Sequence, residues 1–189
     1  EGHFDECEFL KDAIFENAKF LEKEASFNSI KCYGNFNMLE AQIDGYLAFR
    51  KSIINGESDF KNVVFGGEAD FSSAQFKSKV SFKNGNFKNV AKFIHTTFEG
   101  LASFLGTQFQ VANFLNSYFQ NEALFNLDRN NRISLKESYS AAQFQDTADY
   151  TNVRFNTRAA FEEVIFHNTS SLANSWFGEQ AIFMNIPFH

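Results

Sequence analysis

Large apolar side chains recur along this chain at intervals that alternate between five and six residues, with polar residues filling the gaps. The clearest stretch runs Phe60, Phe65, Phe71, Phe76, Phe82, Phe87, Phe93, Phe98, Phe104, Phe109, so the repeating unit is eleven residues in two near-equal halves. An amphipathic helix repeats every 3.6 residues and a half-buried strand every two, and neither gives this rhythm. Of the 27 phenylalanines, 26 fall on one lattice from Phe4 to Phe188. Cys32, Met38, Ile43, Ile54, Ile133, Tyr139, Tyr150 and Leu172 fill its remaining nodes, 34 in all. Internal repetition of this kind decides architecture before any local propensity does.

Two residues before most nodes sits a small side chain, as in Ala69 before Phe71, Ala91 before Phe93, Ala123 before Phe125 and Ala181 before Phe183. The intervening positions are polar, for example Lys77, Ser78, Lys83, Asn84, Lys88 and Asn89. A chain that buries two positions in every five or six must turn after each short extended segment. Phe36, the one phenylalanine off the lattice, stands two before Met38 and is expected at a small-residue position, swelling its coil locally.

Ala69-Asp70-Phe71-Ser72-Ser73, Ala112-Asn113-Phe114-Leu115-Asn116 and Ala148-Asp149-Tyr150-Thr151-Asn152 carry a more specific pattern. The chain resembles the pentapeptide repeat family, whose unit is written A(D/N)LXX with Phe allowed at the centre, and the resemblance spans essentially all 189 residues. It implies an all-β fold, a right-handed quadrilateral parallel β-helix with four pentads per coil and the centres facing inward. Here an added residue at every second junction lengthens the coil to about 22 residues, so the chain is expected to make about 8.5 coils in a rod on the order of 40 Å long.

Numbering the nodes in fours gives four interior columns. The first runs Phe4, Phe27, Phe49, Phe71, Phe93, Phe114, Tyr139, Phe161, Phe183, and the second Phe9, Cys32, Ile54, Phe76, Phe98, Phe119, Phe144, Phe166, Phe188. The third is Phe15, Met38, Phe60, Phe82, Phe104, Phe125, Tyr150, Leu172, and the fourth Phe20, Ile43, Phe65, Phe87, Phe109, Ile133, Phe155, Phe177. Every lattice residue is expected to be largely buried. The spacing departs from rule at Phe20 to Phe27, one residue long, at Phe109 to Phe114, one short, and at Phe125 to Ile133, three long. The last contains Asp128-Arg129-Asn130-Asn131, residues that tolerate tight turns, and reads as a small corner loop. Its Asp128, Asn130 and Glu137 do not make a calcium loop. That loop needs Gly at position 6 and Glu at position 12, whereas here position 6 is Ile133 and Glu137 falls at position 10.

No linker, low-complexity tract or charge block interrupts the register, and the single proline is Pro187, so residues 1–189 read as one domain. There is no apolar run near 18 residues and no signal-like segment. Two cysteines are too few for a disulfide framework and point to a reducing, cytoplasmic setting. Cys7 and Cys32 are both expected to point inward, on one face and one coil apart.

Candidate chemistry is sparse. His3, His95, His167 and His189 are scattered, with no metal-ligand spacing to a cysteine or carboxylate. The pairs Asp5-Glu6 and Glu162-Glu163 fall on outward positions, and Gly66-Gly67 lacks the Lys-Ser/Thr and the helix of a phosphate loop, so it reads as a corner. The expectation is therefore a chain that is not an enzyme, with no catalytic residues, no metal, no cofactor and no identifiable binding residues.

Surface charge separates the remaining readings. Members of the resembled family that imitate DNA protect gyrase with a negatively charged rod, and the net charge of −6 is compatible with that. The distribution is not: residues 1–50 hold ten acidic and five basic side chains, residues 51–100 five and seven. Lys77, Lys79, Lys83, Lys88 and Lys92 would break an acidic stripe. The leading expectation is a non-catalytic scaffold or protein-interaction rod of bacterial type, with an unidentified protein partner and no direct nucleic-acid binding. The alternatives are a DNA-mimicking gyrase-binding protein and a soluble repeat segment of a larger, membrane-associated protein, since the sequence starts without Met and stops mid-repeat. The terminal coils are also expected to associate end to end.

Overall fold

The structure, a computed structural model, describes residues 2–126 and 141–187. Their backbone winds into a β-solenoid of about eight turns built from parallel strands, with no helix among the described residues. Most strands are two or three residues long, and each pairs with the strand one coil before and one coil after. Ile54 pairs with Phe76 and Phe76 with Phe98, a step of 22 residues that equals two of the eleven-residue units.

Four walls result. The first begins Gly2–His3, Glu24–Ser26, Tyr46–Ala48, Ala69–Asp70, and the second Glu8–Phe9, Lys31–Cys32, Ile53–Ile54, Gln75–Phe76. The third begins Ala13–Ile14, Phe36–Asn37, Ser58–Asp59, Val80–Ser81, and the fourth Lys19–Phe20, Gln42–Ile43, Val64–Phe65. Asn86–Lys92 and Gln108–Asn113 run through the corner between the fourth and first walls and join them into one 13-stranded sheet. The second and third walls are separate eight-stranded sheets. The step Phe109 to Phe114 is one residue shorter than Phe87 to Phe93 in the coil below, and the difference is taken up there as a bulge between Phe87 and Val90.

Inside, the phenylalanines form ladders. In the third column Phe60, Phe82, Phe104, Phe125, Phe161 and Phe183 stack with centroids 4.9, 5.2, 4.9, 4.6 and 5.0 Å apart and planes within 9° of parallel. Facing columns meet edge to face, as Phe71 and Phe82 do at 5.3 Å and 80°. Both are the arrangements aromatic quadrupoles favour. The small residue two before a node leaves room for the rings: Ala69, Ala74, Ala91, Ala102, Ala112 and Ala123 are fully buried. Phe36 is buried at such a position and lies edge-on against Phe27 and Phe49.

Past Phe125 the columns differ from those the spacing gave. Phe144 stacks on Phe109, Tyr150 on Phe114, Phe155 on Phe119 and Phe161 on Phe125. Phe144 and Phe166 therefore belong to the fourth column, Tyr150 and Leu172 to the first, Phe155 and Phe177 to the second, Phe161 and Phe183 to the third. Tyr118 pairs with Arg154 at a step of 36 residues, fourteen more than an ordinary coil. The lattice residues Ile133 and Tyr139, the loop Asp128-Arg129-Asn130-Asn131, Glu137, Phe188 and His189 lie outside the described residues.

Burial also departs from expectation at the two ends. Phe4, Phe9, Phe15 and Phe20 of the first coil are half-buried, and Leu172 and Phe183 of the last are 37% and 41% exposed, because no further described coil covers them. Cys7 is exposed for the same reason, whereas Cys32 is buried as expected.

Candidate interaction surface

With the interior filled by rings, function has to be sought on the walls and corners, and the corners explain how the walls are held flat. On the first and third walls every described residue two beyond a node has positive φ, from Glu6 and Asn17 through Ser73 and Asn84 to Asn174 and Asn185. The next amide closes a turn onto the node's carbonyl, as Ala74 to Phe71 at 3.0 Å and Gly85 to Phe82 at 2.9 Å. A left-handed residue at the third place of a four-residue turn favours Gly or Asn, and seven of these positions are Asn. The residue before the node locks the same turn. Asp59, Asp70, Asn113 and Asp149 each accept a hydrogen bond from the backbone amide two residues on, at 2.9 Å. One position further into the corner, hydroxyls of Ser52, Thr96, Thr107 and Ser117 donate to carbonyls of the coil below at 2.6–2.8 Å. Two six-residue corners instead stack glycine on glycine, Gly56 on Gly34 and Gly67 on Gly45. A Cβ on Gly67 would come 2.4 Å from the Gly45 carbonyl oxygen, which confirms Gly66-Gly67 as a corner.

The residues flagged from sequence do not gather. His3 is exposed on the first wall and His95 and His167 at separate corners, His95 at one of the positive-φ places. Asp5 is exposed; burial would raise its pKa, but hydrogen bonds from Ser26 and the Asn28 amide hold its carboxyl below the usual range. Glu162, expected outward and solvated, is buried, while Glu163 is half-buried. Burial raises the pKa of the Cys32 thiol. Among the described residues no group of three or more His, Cys, Asp or Glu could hold a metal ion, and no helix is long and apolar enough to cross a membrane.

Each wall has its own outward chemistry. On the first, Tyr46 donates to Asp70 at 3.3 Å and Arg50 approaches the same carboxylate at 3.9 Å. Burial, with the Asp70 charge, pushes the Tyr46 phenol up to about 12. On the second, the Arg154 guanidinium lies between the rings of Tyr118, at 5.6 Å, and Trp176, at 4.6 Å. The fourth carries amides in register, Asn86 beside Gln108 and Gln108 beside Gln143. The third carries a recess. Ser81 and Ser103 occupy its midline and are nearly buried, and the longer side chains of Lys61, Lys79, Lys83, Leu101 and Leu105 rise around them. The resulting groove has a volume of about 430 Å³ and is closed at one end by Leu124 and at the other by Glu57 and Asp59.

The lysines singled out from sequence are spread around one turn of the rod. Lys77 pairs with Glu99 beside the second wall, Lys79 and Lys83 flank the third, Lys88 is exposed on the fourth and Lys92 pairs with Glu68 at 2.6 Å on the first. A polar groove between lysines was not foreseen, although the alternation Lys79-Val80-Ser81-Phe82-Lys83 around a short outward serine contained it. No protein-family model, curated protein or solved structure matches the chain.

Proposed function

We propose that this protein is a non-catalytic interaction rod of the pentapeptide-repeat type, whose flat walls present side chains to a protein partner in a reducing compartment. The observation that carries this reading is the assignment of nearly all chemical variety to outward positions of a rigid frame, while the inward ones repeat. Corner hydrogen bonds fix the backbone, so a partner meets a surface that loses little entropy on binding. The same turns, with Asp or Asn before the ring and Ala before that, are what the A(D/N)LXX resemblance implies.

DNA mimicry is not favoured, because one turn of the rod carries a lysine at every wall and two of these lysines are paired to glutamates. A polyanion imitation needs an unbroken acidic face.

The test is site-specific photo-crosslinking in cells that express the chain, with the reactive residue placed on the outer side of each wall in turn, at Lys92, Thr97, Leu101 and Gln108. A protein adduct of discrete mass from one or two walls is expected. Adducts from none of the four, or equal and diffuse adducts from all, would overturn the reading.

A further inference from the structure

We propose that the groove on the third wall is the docking site for an extended peptide segment carrying an acidic residue and, two residues away, a large apolar one. This rests on the reading of the protein as an interaction rod and names the partner's chemistry. The midline Asp59, Ser81, Ser103 and Leu124 are register partners on four successive coils. At about 4.8 Å per coil they floor a channel about 14 Å long, room for roughly four extended residues at about 3.3 Å each.

Its chemistry changes along that length. At one end Asp59 is neutralised by Lys61 at 2.8 Å. Around Ser81 the rims are Lys79 and Lys83, and around Ser103 they become Leu101 and Leu105, which with Leu124 form an apolar cluster separate from the rod's core. A carboxylate above Ser81 meets two lysines and the serine hydroxyl, and a charge-assisted contact of this kind outlasts a neutral one. Side chains on one face of an extended segment lie about 6.6 Å apart, which places the second one between Ser103 and Leu124, about 7 Å from Ser81, among the leucines. A basic residue at the first place would face Lys79 and Lys83.

Backbone amide NMR of the full chain, titrated with acetylated and amidated Thr-Glu-Thr-Leu-Thr, tests this. Shifts centred on Ser81, Ser103 and Leu124 are expected for this peptide or for its reverse, Thr-Leu-Thr-Glu-Thr. They should weaken at high salt and be at least tenfold weaker with Lys in place of Glu. Lys79→Glu should lower affinity at least tenfold and Lys79→Arg should restore it. Ser103→Leu should block binding while thermal unfolding stays where it was. Shifts mapping to another wall, equal affinity for the acidic and basic peptides, or no shifts in either direction would each overturn the proposal. Crosslinks confined to Lys92, Thr97 or Gln108, with none from Leu101 on the groove rim, would overturn the groove and leave the interaction rod standing.

Discussion

Tyr150 is the residue at which the ladder tolerates an imperfection. Its ring is fully buried, stacks on Phe114 at 4.8 Å with planes 4° apart, and its hydroxyl has no hydrogen-bond partner. An unsatisfied buried hydroxyl costs about 1–3 kcal/mol, so Tyr150→Phe should stabilise the rod by a value toward the low end of that range, read as a rise in the urea midpoint. Burial also holds the phenol's pKa well above 10. An acid whose folded pKa is raised keeps its proton longer when folded, so stability is unaffected below about pH 10 and is lost as pH rises beyond the unfolded value. The alkaline loss should be smaller in Tyr150→Phe. Truncations test the ladder directly: Phe82→Ala, fully buried in mid-rod, should cost about 3–5 kcal/mol, and Phe4→Ala in the half-buried first coil far less. Equal costs in chemical denaturation would contradict a core stacked in one dimension.

At the scale of the element, the unit is a two-residue strand and the turn that follows it. Asn84 has φ 55° and its backbone conformation suits Asn or Gly but not a β-branched residue. Asn84→Gly should therefore be nearly neutral and Asn84→Val should destabilise by about 1–3 kcal/mol, compared by thermal unfolding. Much of this level was legible in the sequence. The five and six spacing gave the wall sequence, and Ala before Phe gave the interior. Two things were hidden for physical reasons. Ile133 and Tyr139 stand at nearly lattice spacing and count as nodes, whereas Phe144 stacks on Phe109 and Tyr150 on Phe114, so the columns beyond Phe125 came out displaced. Ser81 is a short polar residue like many others on the walls, and its recess exists because Lys79, Lys83 and their neighbours stand taller in the fold, which spacing cannot express.

For the whole molecule, stacking makes each coil depend on its neighbours, and the ends are weakest. Among the described residues the exposed large hydrophobics are Leu10, Ile14, Leu21, Tyr33, Leu172, Trp176, Phe183 and Met184, all in the first two coils or the last. We expect the 189-residue chain to associate through these ends, seen as a concentration-dependent sedimentation coefficient that Phe183→Glu abolishes. A monomer at all concentrations would mean the edges are tolerated. The constant step between coils has one more consequence. Because Asp70 pairs with Lys92 in the same frame that pairs Ala48 with Asp70, excising residues 72–93 should rejoin Phe71 to Ile94 with every later ring still over its column. The gene is then a ruler whose graduations are about 4.8 Å, and duplication or loss of a 66-base segment changes the distance between two binding surfaces without redesigning either.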